Sequence, residues 1–432
     1  MAIRGITIFE FESLVSDVCG GNDNAVPSTV FTWLESECLR QSADDKTSWL
    51  KLTQRKGRRA VQVTSYVGVL RAPNGYQIEV LPKIGKVSNV SQTRKQLIEM
   101  LSCLYEFRHI QTKSAQLAAT RMPLFEVFIR EFLVATEHVV KRGIRRDYVL
   151  NQDNLFALRG KLMVSQQLNK NLLRPDRFFT EHDEFLPNRP ENRLLHSALQ
   201  RVLLLSISQE NQRLARELCF IFSDVPESTQ IRQDFQRVRL DRGMVYYDSA
   251  LAWSKLILED QSPLTGIGNS NATSLLFPME TIFEAYVEKN LARNLQAGFH
   301  LKPQASSHYL VEHMSNLWFK LKPDFLVKDK NKTYLILDAK WKLLDPKKNN
   351  GKEKYQLSQA DFYQLYAYGQ QYLDGSGDVV LIYPKTDTFF EPLPVFNFSK
   401  TENLKLWVLP YCIINKKLAL PESEKIKSLF KS

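Results

Sequence analysis

The sequence predicts an α+β chain of several domains: an N-terminal mixed β/α block, a helical middle and a C-terminal α/β block. Length is the first reason. The chain has 432 residues, 44% of them hydrophobic, and domains run to roughly 100–200 residues each, so two or three cores are expected. Patterning is the second: β-branched alternation before about residue 110 gives way to apolar residues at three-to-four spacing, then to a second mixture of helices and strands. The third is punctuation. Ser262-Pro263-Leu264-Thr265-Gly266-Ile267-Gly268-Asn269-Ser270-Asn271 reads as a linker. The boundaries this sets are 1–110, 111–262 and 272–432.

In the first block Phe31 to Leu39 suits a short helix. Val61 to Leu70 and Tyr76 to Pro82 suit two strands, and Arg71-Ala72-Pro73-Asn74-Gly75 between them suits a hairpin turn, since Pro presets φ and Asn-Gly tolerates positive φ. The middle predicts helices over Gln96 to Phe107, Pro123 to Arg142, Asn192 to Asn211 and Gln212 to Phe222, with Gly143 closing the second. The last block opens with a helix from Pro278 to Leu295. Two strands, a lysine-rich loop, a helix from Ser358 to Leu373, the apolar strand Val379 to Pro384 and a strand over Leu404 to Ile414 follow.

Composition excludes several classes. No apolar run reaches about 18 residues, so no transmembrane helix is expected. The start, with acids at Glu10, Glu12 and Asp17, does not read as a secretory signal. The five cysteines, Cys19, Cys38, Cys103, Cys219 and Cys412, form no CxxC pair, so free thiols in a cytoplasmic protein are expected. Lys and Arg number 58 against 47 Asp and Glu, a net charge of +11, and the excess is concentrated: residues 141–175 and 301–360 each carry net +6. Clustered basic charge is the footprint of a polyanion partner, although solvated lysine loops would give the same count.

Chemistry concentrates in the last block. Lys320-Leu321-Lys322-Pro323-Asp324-Phe325-Leu326-Val327, a polar turn over 328–332, and Tyr334-Leu335-Ile336-Leu337-Asp338-Ala339-Lys340 read as a hairpin that brings Asp324 near Asp338 and Lys340. Alternation puts Asp338 and Lys340 on one face. Two hard carboxylates suit Mg²⁺, which polarises a phosphate and activates water, and a lysine can orient that water or offset developing charge. This spacing resembles the PD-(D/E)xK nuclease motif, here Pro323-Asp324 and Asp338-Ala339-Lys340, and implies a restriction-endonuclease-like domain. Members of that superfamily often draw an acid from their first helix. Glu280 and Glu284 share a face at i,i+4, and Glu284 is the choice, with Glu280 the alternative. Gln364 and Tyr368, also i,i+4, resemble the QxxxY element of RecB-like branches, which implies a role in positioning the site or DNA; a core aromatic is the competing reading of Tyr368. Lys322 and Lys342 complete the candidate DNA contacts.

The whole chain then resembles one family. Tyr66-Val67-Gly68-Val69-Leu70-Arg71-Ala72-Pro73-Asn74-Gly75-Tyr76-Gln77-Ile78-Glu79-Val80-Leu81-Pro82-Lys83-Ile84 is similar to a block of McrC, the nuclease subunit of modification-dependent McrBC restriction systems. Arg142-Gly143-Ile144-Arg145-Arg146-Asp147-Tyr148, Leu158-Arg159-Gly160-Lys161-Leu162, Asn192-Arg193-Leu194-Leu195 and the Asp324…Asp338-Ala339-Lys340 block with Gln364 follow in collinear order from about residue 49 to 385. The resemblance implies an McrB-like AAA+ GTPase hexamer as partner, double-stranded DNA with modified cytosine as substrate, and stimulation of the partner's nucleotide hydrolysis.

The expected function is therefore the nuclease subunit of a 5-methylcytosine-type (type IV) restriction complex in phage defence, an endodeoxyribonuclease using Mg²⁺, for which Mn²⁺ can substitute. No G-x-x-x-x-G-K-[S/T] loop occurs, so the chain alone is expected to bind no nucleotide. Arg145, Arg146 and Arg159 are the candidates for stimulating the partner, since arginines supplied in trans stabilise phosphoryl transfer; the turn Arg71 to Gly75 is a further contact on the resemblance alone. A non-catalytic DNA-binding adaptor that activates a GTPase, and an autonomous repair-type nuclease, are the competing functions.

Overall fold

The computed structural model describes residues 5–431 apart from 18–23, 42–47, 56, 85–88, 105–106, 108–109, 111–114, 117, 120–121, 259–273, 331, 400 and 402. Cys19 and the linker over Ser262 to Asn271 lie outside the described residues. Beyond the first four residues, the chain forms two compact units, one spanning 121–275 and the other 5–120 together with 276–432. Where the sequence suggests separate first and last domains, the structure gathers them into one unit.

The unit over 121–275 is mostly helical. Leu124–Arg142, Pro190–Leu205, Gln209–Ile221 and Asp248–Leu258 pack through Leu194, Leu195, Leu199, Val202, Phe128 and Trp253. Gly143 ends the first helix at φ +97°. The helix expected to run to Asn211 stops at Leu205 because Glu126, buried in the neighbouring helix, accepts hydrogen bonds from Ser206 Oγ (2.7 Å), Ile207 N (2.8 Å) and Asn211 Nδ2 (2.7 Å). A carboxylate with three donors fixes the non-helical corner.

Helices do not fill this stretch as the sequence suggests. Asp147–Leu155, Phe178–Leu186 and Lys161–Leu162 form a three-stranded antiparallel sheet with Phe178–Leu186 in the centre. Gly160 leads into its short strand at φ +71°, where a Cβ would lie 2.4 Å from the Glu181 carbonyl oxygen, so only glycine fits. Asn192, fully buried, donates to the carbonyls of Arg145 (2.8 Å) and Pro187 (2.7 Å) and accepts from the Tyr247 hydroxyl (2.8 Å). Arg193 forks onto Asp234 at 2.7 and 3.1 Å.

In the second unit the expected hairpin is present: Tyr66–Arg71 runs antiparallel to Gln77–Leu81. Gly75 N bonds Ala72 O, Asn74 Oδ1 accepts from Tyr76 N, and Gly75 sits at φ +84°. The strand predicted from Val61 breaks at Thr64-Ser65. Arg58–Val63 belongs instead to a sheet with Leu50–Arg55 and Ser13–Ser16, next to the helix Ser28–Gln41. Gly5–Phe9 pairs in parallel with Gln77–Leu81. The helix expected at Gln96 to Phe107 lies earlier, over Val90–Leu101, because Asn89 accepts from Ser91 N and caps it there.

The 276–432 segment builds one mixed sheet in the order His300–Pro303, Phe325–Lys328, Thr333–Ala339, Ser376–Pro384, Asn403–Cys412, Phe396–Asn397, with Lys417–Leu418 beside Asn403–Cys412. Thr333–Ala339, Ser376–Pro384 and Asn403–Cys412 are parallel. Parallel strands need a crossover, and Gln359–Tyr372 supplies the first. Burial on both faces explains the unbroken apolar runs Leu335-Ile336-Leu337 and Val379 to Ile382. Met279–Asn294 buries Met279, Ile282, Phe283, Tyr286 and Val287, one helical stripe. The strand predicted through Lys320 to Val327 is two strands. Asn316–Leu321 pairs with His308–His313 in a separate ribbon, and Phe325–Lys328 joins the main sheet; Pro323 between them has no N–H to continue a ladder. Phe107 meets Phe277 edge-on at 5.0 Å, and Lys289 Nζ donates to Ser102 O, which is how the two ends of the chain share a core. No helix among the described residues is long and apolar enough to cross a membrane, and the described cysteines are free thiols.

Replacing Asn192 by Ala removes the donor from two carbonyls, that of buried Pro187 among them, and the acceptor from the Tyr247 hydroxyl. It should cost the 121–275 unit about 2–3 kcal/mol, read as a lower urea midpoint for that unit's helical signal, with the transition of the other unit unchanged.

Candidate functional site

The site grows from one strand. Thr333–Ala339 lies between Phe325–Lys328 and Ser376–Pro384, so its last turn of sequence, Asp338-Ala339-Lys340, emerges from the middle of the sheet. Asp338 is 1% exposed. Lys340 Nζ stands 2.5 Å from Asp338 Oδ2, as the two-residue spacing predicts, while Asp338 Oδ1 has no hydrogen-bond partner. Lys340 N is fixed by Ile382 O at 2.8 Å.

Asp324 arrives from the neighbouring strand. The break at Pro323 turns its side chain so that Oδ2 accepts from Ala339 N at 2.8 Å. Two elements hold that break. On the helix Gln359–Tyr372, the Tyr368 hydroxyl donates to Lys322 O (2.9 Å) and the Tyr372 hydroxyl to Leu321 O (3.1 Å), and Gln364 Nε2 donates to the Tyr368 hydroxyl (2.6 Å). On the other side Gln304 N bonds Asp324 O (2.8 Å) and Gln304 Nε2 reaches Glu284 Oε1 (3.2 Å). Tyr368 is thus both a core aromatic and a tether of the Pro323-Asp324 corner.

Electrostatics tie these groups into one centre. Burial, then the charges of Asp338 and Glu284, push Asp324 up to about 7. Burial raises Asp338 against the pull of Lys340, and burial raises Glu284, with Asp338 adding to it. Burial alone would lower Lys340, but Asp338, Asp324 and Asp361 together hold it above the usual lysine value. Of the two helix acids, Glu284 faces the carboxylate pair. Glu280 is exposed and acts instead on Glu10, Tyr66 and Lys83. Lys322 and Lys342 are exposed beside the centre, and Lys342 Nζ bonds Gln356 O.

Two residues here carry little sequence signal. Gln304 stands alone in a polar stretch. Asp361, which accepts from the Tyr383 hydroxyl at 3.2 Å and adds negative charge near Asp338, opens the helix three residues before Gln364, and that spacing is the only clue to it.

The fit to a metal is testable on the donors present. Among the described residues no three Asp, Glu, His or Cys side chains converge as a closed metal cage. A pair of carboxylates, one with an orphaned buried oxygen, matches Mg²⁺, which keeps several of its waters and takes only one or two protein carboxylates. Asp324 and Asp338 are the residues that could hold it.

The three arginines lie in the 121–275 unit, and the structure does not bring them to one partner. Arg145 pairs with Asp241 at 3.6 Å, Arg159 with Glu184 at 3.8 Å, and Arg146 is exposed. Along the same sheet Tyr148, Leu150 and Phe185 are exposed, with Tyr148 and Phe185 rings 4.9 Å apart. Leu172 and Leu173, after the helix Val164–Asn171, are 75% and 92% exposed. This apolar surface has no period-two or helical signature in the sequence.

Known proteins bear on this arrangement at two levels. No curated protein matches the sequence. Among solved structures, a chain of the refined half-complex from the tetradecameric assembly of Thermococcus gammatolerans McrB AAA+ hexamers with bound McrC is similar over 98% of both chains, at 19% identity and a TM-score of 0.69. A chain of the cryo-EM structure of the Thermococcus gammatolerans McrBC complex is similar over 67% of this chain and 88% of that one, at 21% identity and a TM-score of 0.52. These identities establish likeness of fold. A family model described as McrBC 5-methylcytosine restriction system component matches residues 61–384, three quarters of the sequence, and the chain belongs to that family.

Proposed function

We propose that the chain is the nuclease subunit of a 5-methylcytosine-type restriction complex, that it hydrolyses DNA phosphodiesters with Mg²⁺ through a PD-(D/E)xK centre, and that it binds and stimulates an AAA+ GTPase. The observation that carries the reading is the convergence of Asp324, Asp338, Lys340 and Glu284 at one sheet end, with an orphaned oxygen on Asp338. Bound by Asp324 and Asp338, Mg²⁺ supplies polarisation of the phosphate and a lowered pKa for an attacking water.

The protein residues do the rest. Lys340, held as an ammonium by the acids around it, donates to the scissile phosphate or to the attacking water and offsets the charge that develops. Glu284, within electrostatic reach of Asp324 and Asp338, accepts a proton or orients that water. Gln364 and Tyr368 keep the Pro323-Asp324 corner in register, and Lys322 and Lys342 bind flanking phosphates. The fold shared with the chain from the McrB–McrC assembly supports a hexameric AAA+ partner. The 121–275 unit, with Arg145, Arg146, Arg159 and the exposed Tyr148, Leu150 and Phe185, is the surface we assign to it.

Three outcomes test the reading. In the complex reconstituted with its AAA+ partner, GTP, Mg²⁺ and DNA carrying 5-methylcytosine, Asp338→Ala should lower cutting on the order of 10³-fold, with stimulation of GTP hydrolysis unchanged; cutting at the unsubstituted rate overturns the catalytic assignment. For the metal, Asp324→Asn removes a buried charge and its repulsion from Asp338 and Glu284, while its amide oxygen can still accept from Ala339 N. In EDTA above pH 7 it should be more stable than the unsubstituted chain by about 1 kcal/mol, and it should lose the rise in melting temperature that Mg²⁺ gives the unsubstituted chain. Finally, Lys342→Ala should weaken DNA binding evenly across sequences and reduce the slope of log affinity against log salt by about 1.

A further inference from the structure

Glu10 is fully buried, and nothing in the nuclease chemistry above uses it. Its Oε1 accepts from the Trp341 indole N–H at 2.8 Å and from Lys83 N at 2.9 Å, and its Oε2 has no partner. Lys83 in turn reaches the Trp341 carbonyl at 3.4 Å, with its ammonium 4.6 Å from the Phe11 ring centroid and 5.5 Å from that of Trp341. Trp341 is therefore gripped at both ends, by its indole and by its backbone. It directly follows Lys340. Its ring also lies 5.2 Å from Phe283, the neighbour of Glu284 in the helix Met279–Asn294.

An indole offers one donor and no acceptor, so this buried Trp needs an oxygen, and Glu10 is the oxygen it has. Packing does not account for the carboxylate. A leucine would fill a similar volume without the desolvation that pushes Glu10 up to about 7. What the carboxylate adds is direction: it fixes where the indole edge points, and so the path of the chain between Lys340 and Lys342.

We propose that Glu10, assisted by Lys83, is a positioning residue for the nuclease centre: it holds Trp341, and through Trp341 it sets the place of the Lys340 ammonium and of the helix turn that carries Glu284. The inference rests on the assignment of that centre as a nuclease. It means that the N-terminal strand and the 276–432 segment form one catalytic unit, since a residue from the chain's first turn aligns a lysine 330 positions later.

Two readouts in the full chain test it. The first needs no activity. In Glu10→Leu, hydrogen exchange at the amides of Lys340–Lys342 should rise about 10-fold or more while the remaining strands of the unit keep their protection. The second is the reconstituted complex, where kcat for cutting should fall about 10- to 100-fold, as expected for a displaced catalytic group, with KM for DNA and GTP hydrolysis unchanged. Glu10→Gln, which keeps the acceptor for the indole, should restore most of both. Unchanged exchange at Lys340–Lys342 in Glu10→Leu overturns the proposal. So does a loss of protection spread evenly through the unit with kcat per folded molecule unchanged, which is the signature of a purely structural role. If Glu10→Leu does not fold, Trp341→Phe removes the donor and keeps a ring against Phe283: a fall in kcat supports the clamp and an unaltered kcat sinks it. A complex that never cuts DNA refutes the nuclease assignment alone, because the exchange measurement still decides the clamp.

Discussion

A carboxylate buried at the end of a central strand is the constraint from which the rest of the site follows. Asp338 sits on a strand paired on both sides, where charge is expensive unless it is matched. Lys340 matches part of it. Around this pair stand Asp324, Glu284 and Asp361, so the centre holds more negative charge than one ammonium can balance. Burial displaces Asp324, Asp338 and Glu284 upward, and the neighbouring carboxylates add to it. A divalent cation would relieve that imbalance, and this deficit supports the Mg²⁺ reading more directly than the spacing of the acids does.

Because the charge cluster is strained in this sense, its geometry has to be held from outside. The Pro323 break sends Asp324 toward Ala339 N instead of continuing the strand. Tyr368 and Tyr372 pin that corner through backbone carbonyls, and Gln304 links it to Glu284. Each support is a hydrogen bond to main chain or to a side chain on a different element, so the Pro323-Asp324 corner is held by protein groups and not by a metal cage. The same logic extends to Trp341, whose two polar ends are both satisfied by residues from the first hundred positions.

Legibility in the sequence follows contact range. Asp338 and Lys340 are two apart on a strand, Gln364 and Tyr368 four apart on a helix, and Pro323-Asp324 are adjacent, so each is visible to periodicity. Gly160 and Asn192 stand out as motif residues, and the structure gives their reason: one has no room for a Cβ, the other bonds two backbone carbonyls and a hydroxyl. What pattern misses is long-range or two-sidedly exposed. Glu10 meets Trp341 across 331 positions, and no local signal marks either. The sheet of Asp147–Leu155 is largely exposed along its length, so its residues show no polar–apolar alternation and read as part of a helical region. The merger of the two chain ends into one unit is invisible for the same reason: Phe107 and Phe277 each look like ordinary core residues of their own neighbourhood.

The two basic regions, equal by count, differ in what their charges face. In 141–175, Lys141 pairs with Glu137, Arg145 with Asp241 and Arg159 with Glu184. These are exposed pairs worth little to stability, but they offset part of the excess, and Tyr148, Leu150, Leu172 and Leu173 of the same stretch are exposed. Exposed apolar side chains together with partly paired charges suit a protein partner better than a phosphate backbone. In 301–360, Lys302, Lys320, Lys322, Lys342, Lys347, Lys352 and Lys354 are exposed. Only Lys348 there, on Glu353, and Lys340, on Asp338, form ion pairs among the described residues. That distribution leaves a field open to phosphates beside the acid pair. Net charge alone divides the excess equally; the difference lies in what stands beside it, exposed apolar side chains in 141–175 and the acid pair in 301–360, which is the basis for proposing protein at one region and DNA at the other.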